Sequence, residues 1–480
     1  MRLITEMYSH QIKAVEKLKR IKIGAAYMEM GTGKTRVALE LINIRLQKDR
    51  IDHVIWLCPC SVKENLKRDI IKHTGEEQEC ITICGIETLS SSIKANSYLL
   101  DLVKNKRCYL IVDESNLVKN HKAKRSQNII RLAEYCTYKL ILNGTPVTKN
   151  EADLFTQWYI LDWRVLGYKS YWSFAANHLE YDDKGKIRRC LNVDYLVEKI
   201  GPYSYQVKKE ECLDLPPKTY EKVYYELTNE QYEHYLNVAD ELMFSLNEFN
   251  PWTIYRMLIA LQDVISGMLV NTSKDNIQTS PYFDNPLDNP RIKTLMELLD
   301  GLEEKTIIFC KFQSEIDDIT NIINSKYGKD TAVPFTGDLT QKKRQNNLDL
   351  FQTTSQYLVA NKQCGAYGLN LQFCSYIIFY SNDWDYGTRS QAEDRVHRIG
   401  QTENVHIVDI CAADTLDERI LKCLDKKENL VDSIREEIEE NKEKEDELYS
   451  WITKKDWRKR KYSLKIKNKD KEDLYEDLYR

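Results

Sequence analysis

No Cys-x-x-Cys pair occurs among the 13 cysteines of this 480-residue chain, so a zinc ribbon or finger is not expected. Several cysteines (Cys58, Cys310, Cys411) sit inside apolar runs, which suits free, buried thiols in a reducing compartment. Uninterrupted apolar stretches long enough for a membrane span are lacking, and Met1 to His10 has no apolar signal core. The expectation is an intracellular, cytoplasmic protein without a membrane partner. Net charge is small, −4, so charge alone does not announce a nucleic-acid binder, and any such surface must be local. No internal repeat or low-complexity segment precedes the C-terminal tail.

What is present begins with Met30-Gly31-Thr32-Gly33-Lys34-Thr35. The apolar run Ile23 to Met28 reads as a buried strand, and Val37, Leu41 and Ile44 read as one face of a helix. A glycine-rich turn between strand and helix aims backbone N–H groups and the positive helix end at a phosphate. Lys34 would neutralise β- and γ-phosphates, and the Thr35 hydroxyl would ligate Mg²⁺. The stricter signature has glycine where Met28 stands, which argues against nucleotide kinases and small GTPases. A second acid site follows. Tyr109 to Val112 reads as a strand ending in Asp113-Glu114, at the end where open α/β sheets bind ligands. Asp113 would hold the metal through water, and Glu114 would polarise the attacking water.

Strand and helix patterns alternate from about Ile21 to Asp162 and again from Lys305 to Leu424, which predicts an α/β fold of two mostly parallel-sheet lobes. Between them, from Trp163 to about Pro290, lies a mainly helical insertion with a break at Pro216-Pro217 and a helix over Asn229 to Phe244. The expected domains are 1–162, 163–290, 291–425 and a charged helical or disordered tail, 426–480. In that tail a basic run surrounds Trp457. It reads as a solvated face or, more sharply, as a phosphate contact with Trp457 stacking on a base or packing on the second lobe.

Within the second lobe, Gln391, Asp394, Arg395 and Arg398 have the spacing of one helical face. Two arginines there suit a phosphate arriving from another lobe, where they would stabilise transition-state charge; an exposed, salt-bridged helix is the plainer alternative. Gly365 and Gly368, with Asn370, suit close backbone approach to a ligand or strand, or simply a tight turn.

Taken together, these residues resemble the Swi/Snf-type ATPases, a helicase-like family of superfamily two, from about Tyr8 to Leu416. His10-Gln11 is similar to the adenine-reading element, and Met28 to Thr35 to the first nucleotide motif. Leu57-Cys58-Pro59 and Ile86-Glu87-Thr88-Leu89 are similar to strand-contacting motifs, Asp113-Glu114 to the second motif and Gly144-Thr145-Pro146 to the third. Leu215-Pro216-Pro217-Lys218 resembles the passage into lobe two. Gly365, Gly368, Asn370 and Leu371 resemble the fifth motif. The most specific string is Gln391-Ala392-Glu393-Asp394-Arg395-Val396-His397-Arg398-Ile399-Gly400-Gln401, which resembles the sixth.

The resemblance implies two RecA-like lobes, ATP and Mg²⁺ as cofactors, and a motor that tracks along double-stranded DNA, with branched or single-stranded DNA as a secondary candidate. It assigns nucleotide contacts to Gln11, Gly31, Thr32, Gly33, Lys34 and Thr35, with Gly365 and Gly368. Catalysis falls to Lys34, Asp113, Glu114, Arg395 and Arg398, and coupling or DNA contact to Thr88, Asn116, Thr145, Thr148, Asn370 and Gln391. Two positions depart from the family: Asn116 stands for histidine and Thr148 for glutamine, where the pair links nucleotide state to DNA grip. A strand-separating DNA helicase, an RNA helicase, and a nucleic-acid clamp with a decayed ATPase are the rival readings.

Overall fold

The computed structural model describes residues 1–480 except 145–150, 183–184, 186, 245–250, 273–276, 362–368, 385, 427–444 and 465–480. The described residues form two compact units. The first comprises 1–215 with two short segments, 366–372 and 397–401; the second takes 216–365, 373–396 and 402–480. The chain passes from one to the other at Leu215/Pro216, where consecutive prolines restrict the backbone. Residues 163–215 therefore lie with the first sheet, and 216–290 with the second.

The first unit is built on β1 (Ile23–Met28), β2 (His53–Cys58), β3 (Ile81–Gly85), β4 (Cys108–Asp113) and β5 (Tyr138–Asn143). A short antiparallel hairpin follows, β6 (Leu179–Tyr181) with β7 (Ile187–Cys190), and then β8 (Ser204–Val207). The main sheet has the order β3-β2-β4-β5-β1-β8, parallel throughout. Parallel sheets are covered on both faces, so their strands read as continuous apolar runs. Strand β4 shows how: Cys108, Leu110 and Val112 enter one core, while Tyr109 and Ile111 enter the other. The helix Lys34–Gln47 buries Val37, Ala38, Leu39, Leu41 and Ile42, a wider face than the stripe seen in sequence.

In the second unit β9 (Lys218–Tyr225) leads into two long helices, Asn229–Phe244 and Pro251–Ile265, and a hairpin, β10 (Met268–Thr272) with β11 (Ile277–Pro281). Then come β12 (Thr306–Cys310), β13 (Ala332–Phe335), β14 (Tyr357–Asn361), β15 (Tyr376–Phe379) and β16 (Val405–Ala412). Their sheet, β13-β14-β12-β15-β16-β9, is also wholly parallel. One core joins its inner face to the two helices and to the C-terminal segment. Trp457 is 2% exposed, packed on Tyr449 and Phe244, so it serves that core and is not free to stack on a base. Arg460, from the basic run around it, pairs with Asp240 and Glu233. Among the described residues no helix is long and apolar enough to cross a membrane.

Candidate functional site

At the carboxyl end of β1 the chain turns through Gly31 (φ 83°) and Gly33 (φ 86°) into the helix Lys34–Gln47. Both backbone angles lie in the left-handed region that favours glycine. A Cβ at Gly33 would overlap the side-chain amide of Gln11, and one at Gly31 would sit 2.9 Å from Arg398 Cβ. Gln11 is anchored twice: its Oε1 accepts from the Tyr8 N–H at 3.0 Å, and its Nε2 donates to the Thr32 carbonyl at 3.0 Å. His10 Nε2 lies 2.8 Å from the same carbonyl. Thr32 Oγ1 donates to the Glu29 carbonyl, and Lys34 Nζ donates to the Met28 carbonyl at 3.0 Å. Thr35 follows in the first turn of the helix. The loop is thus held by its own Thr32 and Lys34 and by His10 and Gln11 from outside it, and it runs directly into the N-terminus of the helix.

The acid pair stands at the end of β4. Burial first, and the neighbouring Glu114 second, push the Asp113 carboxyl up to about 7, against the pull of the Lys34 ammonium. Glu114 donates its backbone N–H to Asp113 Oδ1 at 3.0 Å and adopts φ 48°, a left-handed angle seldom taken by a residue with a side chain. The following turn is tied to the helix Asp153–Leu166: Ser115 Oγ donates to Gln157 Oε1 at 2.5 Å, and Thr156 Oγ1 to the Lys119 carbonyl at 2.8 Å. Asn116 Oδ1 is buried with no hydrogen-bond partner among the described residues. Thr148, expected opposite it, lies outside the described residues, as do Thr145, Gly365 and Gly368.

Thr88 opens a short helix, and its hydroxyl lies 3.4 Å from Cys60 Sγ, while Cys60 N–H donates to Glu87 Oε2. The two strand-end loops at Cys58-Pro59-Cys60 and Glu87-Thr88 are therefore joined. Also in the first unit, Arg398 Nη1 donates to Asn370 Oδ1 at 2.5 Å and to the Leu369 carbonyl at 3.3 Å. Lys209 was not foreseen. It is buried, its N–H donates to Glu29 Oε2, and its Nζ donates to the His397 carbonyl at 3.0 Å. A lone lysine 175 residues downstream of the loop carries no spacing signal.

The helical face expected for Gln391, Asp394, Arg395 and Arg398 needs correction. The helix runs Tyr386–Glu393, so Gln391 lies on it, but the three charged residues follow in turns. Arg395 N–H bonds to the Ala392 carbonyl and Val396 N–H to that of Glu393, i→i−3 bonds that end the helical repeat. Arg395 is buried in the second unit. Further along the same sheet end, the Lys311 ammonium lies 4.2 Å from the centroid of the Trp384 ring, and burial pulls it down to about 8.

Among the described residues no cluster of three His, Cys, Asp or Glu side chains forms a metal cage. Mg²⁺ at a phosphate site needs only one or two protein ligands beside the phosphates, so Thr35 and the carboxylate of Asp113 fit it.

Residues 77–256 match the SNF2-related domain, 290–400 the helicase conserved C-terminal domain, and 4–148 the type III restriction enzyme res subunit. An ATP-dependent helicase of Mycoplasma genitalium is 24% identical over 432 residues, 84% of this chain and 39% of that protein. The ATP-dependent helicase YqhH of Bacillus subtilis is 23% identical over 467 residues, 90% of this chain and 80% of the relative. A solved SWI2/SNF2 ATPase core of Sulfolobus solfataricus, in complex with dsDNA, aligns with 22% identity and a TM-score of 0.40, covering 88% of this chain and 92% of that one. The chain thus carries an SNF2-related domain followed by a helicase C-terminal domain, the pair that the Swi/Snf-type resemblance implies.

Proposed function

We propose that the chain is a DNA-dependent ATPase that moves along duplex DNA. The observation that carries this reading is the convergence, in one unit, of a phosphate-type loop with its Lys34 on a half-buried acid pair, where that lysine partly offsets the charge of Asp113. In this reading the two units are the two RecA-like lobes, with residues 163–215 completing the first, 216–290 opening the second, and Tyr449 and Trp457 from the charged C-terminal stretch packed into the second core. The loop N–H groups of Gly31 to Thr35 and the Lys34 ammonium hold the triphosphate, and Gln11 reads the base. Thr35 and, through water, Asp113 would hold Mg²⁺, which would supply neutralising charge. Glu114, held by its strained turn, orients the attacking water and accepts its proton. Arg395 and Arg398 meet the charge that develops on the γ-phosphate, a contribution worth ~10³–10⁵ in rate.

Only differential affinity for two arrangements can make nucleotide drive motion. ATP that touches Lys34 and the arginines favours one arrangement, and loss of phosphate removes the preference. Contacts to DNA are to phosphates, so sequence preference is slight and salt sensitivity strong. Asn116, with its unsatisfied buried carbonyl, is the candidate for transmitting nucleotide state toward Thr148.

Steady-state ATP turnover with duplex DNA, single-stranded DNA, RNA or no nucleic acid tests the proposal. Strongest stimulation by duplex is expected, and Lys34→Ala removes turnover. Stimulation by RNA alone supports an RNA helicase; absence of turnover under all four conditions supports a clamp.

A further inference from the structure

Arg389, Ala392 and Glu393 of the helix Tyr386–Glu393 are buried, and two of these three are charged. Arg389 is 5% exposed and Glu393 is 6% exposed. The Arg389 guanidinium donates to Asp409 on β16 through Nη1 (2.6 Å) and Nη2 (3.0 Å), to Asn382 Oδ1 (2.8 Å), and through Nε to Glu393 Oε1 (2.8 Å). It also lies 3.5 Å from the Phe379 ring centroid. The second carboxylate oxygen of Glu393 accepts from Lys218 Nζ and from Tyr220 OH, each at 2.9 Å. Glu393 is therefore a node, with one oxygen for its own helix and the other for β9.

The location of that second set of partners matters. Strand β9 begins two residues after the chain enters the second unit at Pro216. There the Val405 N–H donates to the Pro217 carbonyl, and the Lys218 side chain crosses to Glu393. The arginine segment starts at the next residue, Asp394, where the helical repeat ends. From there the backbone holds itself by i→i−3 bonds at Arg395 and Val396, and Glu393 is the point at which side chains tie the start of the segment to β9.

A buried ionic cluster of this kind is poor evidence for stability, because desolvation of its charges offsets most of their attraction. Its complete satisfaction fixes one geometry instead. Burial works against the Glu393 carboxylate, yet Arg389 and Lys218 hold it below the ordinary range, so it keeps its charge.

We infer that Glu393, Lys218 and Tyr220 are positioning residues for ATP hydrolysis, fixing the end of the arginine-bearing helix to the first strand after the passage between units. This rests on the proposed role of Arg395 and Arg398 at the γ-phosphate. A displacement of about 1 Å at a reacting group can lower a rate ~10²-fold, so a slack anchor registers in catalysis before it registers in folding.

The full chain with duplex DNA provides the test. Tyr220→Phe removes one hydroxyl from a ring that is 58% exposed, and Lys218→Met removes the ammonium but keeps the stem. Each is expected to lower kcat about tenfold, one hydrogen bond's worth of barrier, with KM for ATP changed less than about twofold. The melting temperature of Tyr220→Phe stays at the wild-type value, and Lys218→Arg restores most of kcat. Wild-type kcat in both Tyr220→Phe and Lys218→Met, or a loss that appears only in KM, overturns the inference. Arg398→Ala separates it from the reading beneath it. Normal turnover in Arg398→Ala overturns the arginine role itself; no turnover there, beside wild-type kcat in the other two, overturns the anchor alone.

Discussion

Both units bury charge at the ends of their sheets, but in opposite ways. In the first, Asp113 and Glu114 stand side by side, and Lys34, whose charge favours the ionised Asp113, donates to the Met28 carbonyl. In the second, Arg389 meets Asp409, Glu393 and Asn382, and Glu393 meets Lys218 and Tyr220. The under-compensated pair pushes its carboxyl toward neutrality; the compensated one keeps its carboxylate charged. Buried charge left short of partners marks a place where something else binds, whereas buried charge fully matched marks scaffolding.

Breaking the unmatched side gives the largest effect on activity. Asp113→Asn is expected to lower turnover more than about 100-fold, beyond the loss typical of even outer partners of a metal. The same change should stabilise the protein. The folded chain holds the Asp113 proton up to about 7, against an ordinary 3.8, so the folded state binds more protons between those values. Stability therefore falls as pH rises from about 4 to about 7, and Asn removes that penalty. Without Mg²⁺, melting curves should place the variant above wild type at pH 8, with the gap closing at pH 4.

On the matched side the signs reverse. Asp409→Ala leaves Arg389 with Glu393 and Asn382 but without the carboxylate that takes two of its bonds, and is expected to destabilise the second unit by ~3 kcal/mol, read from denaturant unfolding. Retention of wild-type stability would show that the network is not closed. A smaller change sharpens the contrast. Tyr449→Phe removes one hydrogen bond to Asp240, which keeps Arg460, so the loss should be about 1 kcal/mol with turnover unaltered.

Much of this was legible without coordinates. The run Ile23 to Met28, the glycines at 31 and 33 and the acid pair at the end of β4 announce themselves because local sequence carries both the strand pattern and the turn chemistry. Residues whose role depends on distant partners stayed hidden. Lys209 meets Glu29 across 180 positions, and Arg389 meets Asp409 across 20. The helical spacing at 391, 394/395 and 398 misled because periodicity does not register a helix end, and neither glycine nor proline marks Glu393. Trp457 lies in a strongly charged stretch, and its burial depends in part on Phe244, which no window around it contains.

The most direct test of the unmatched acid pair is a calorimetric titration of wild type and Asp113→Asn with ATP, with and without Mg²⁺. If the buried carboxyl exists to hold the metal beside the triphosphate, Mg²⁺ tightens ATP binding in wild type and has little effect in the variant. Equal tightening in both proteins would contradict the account.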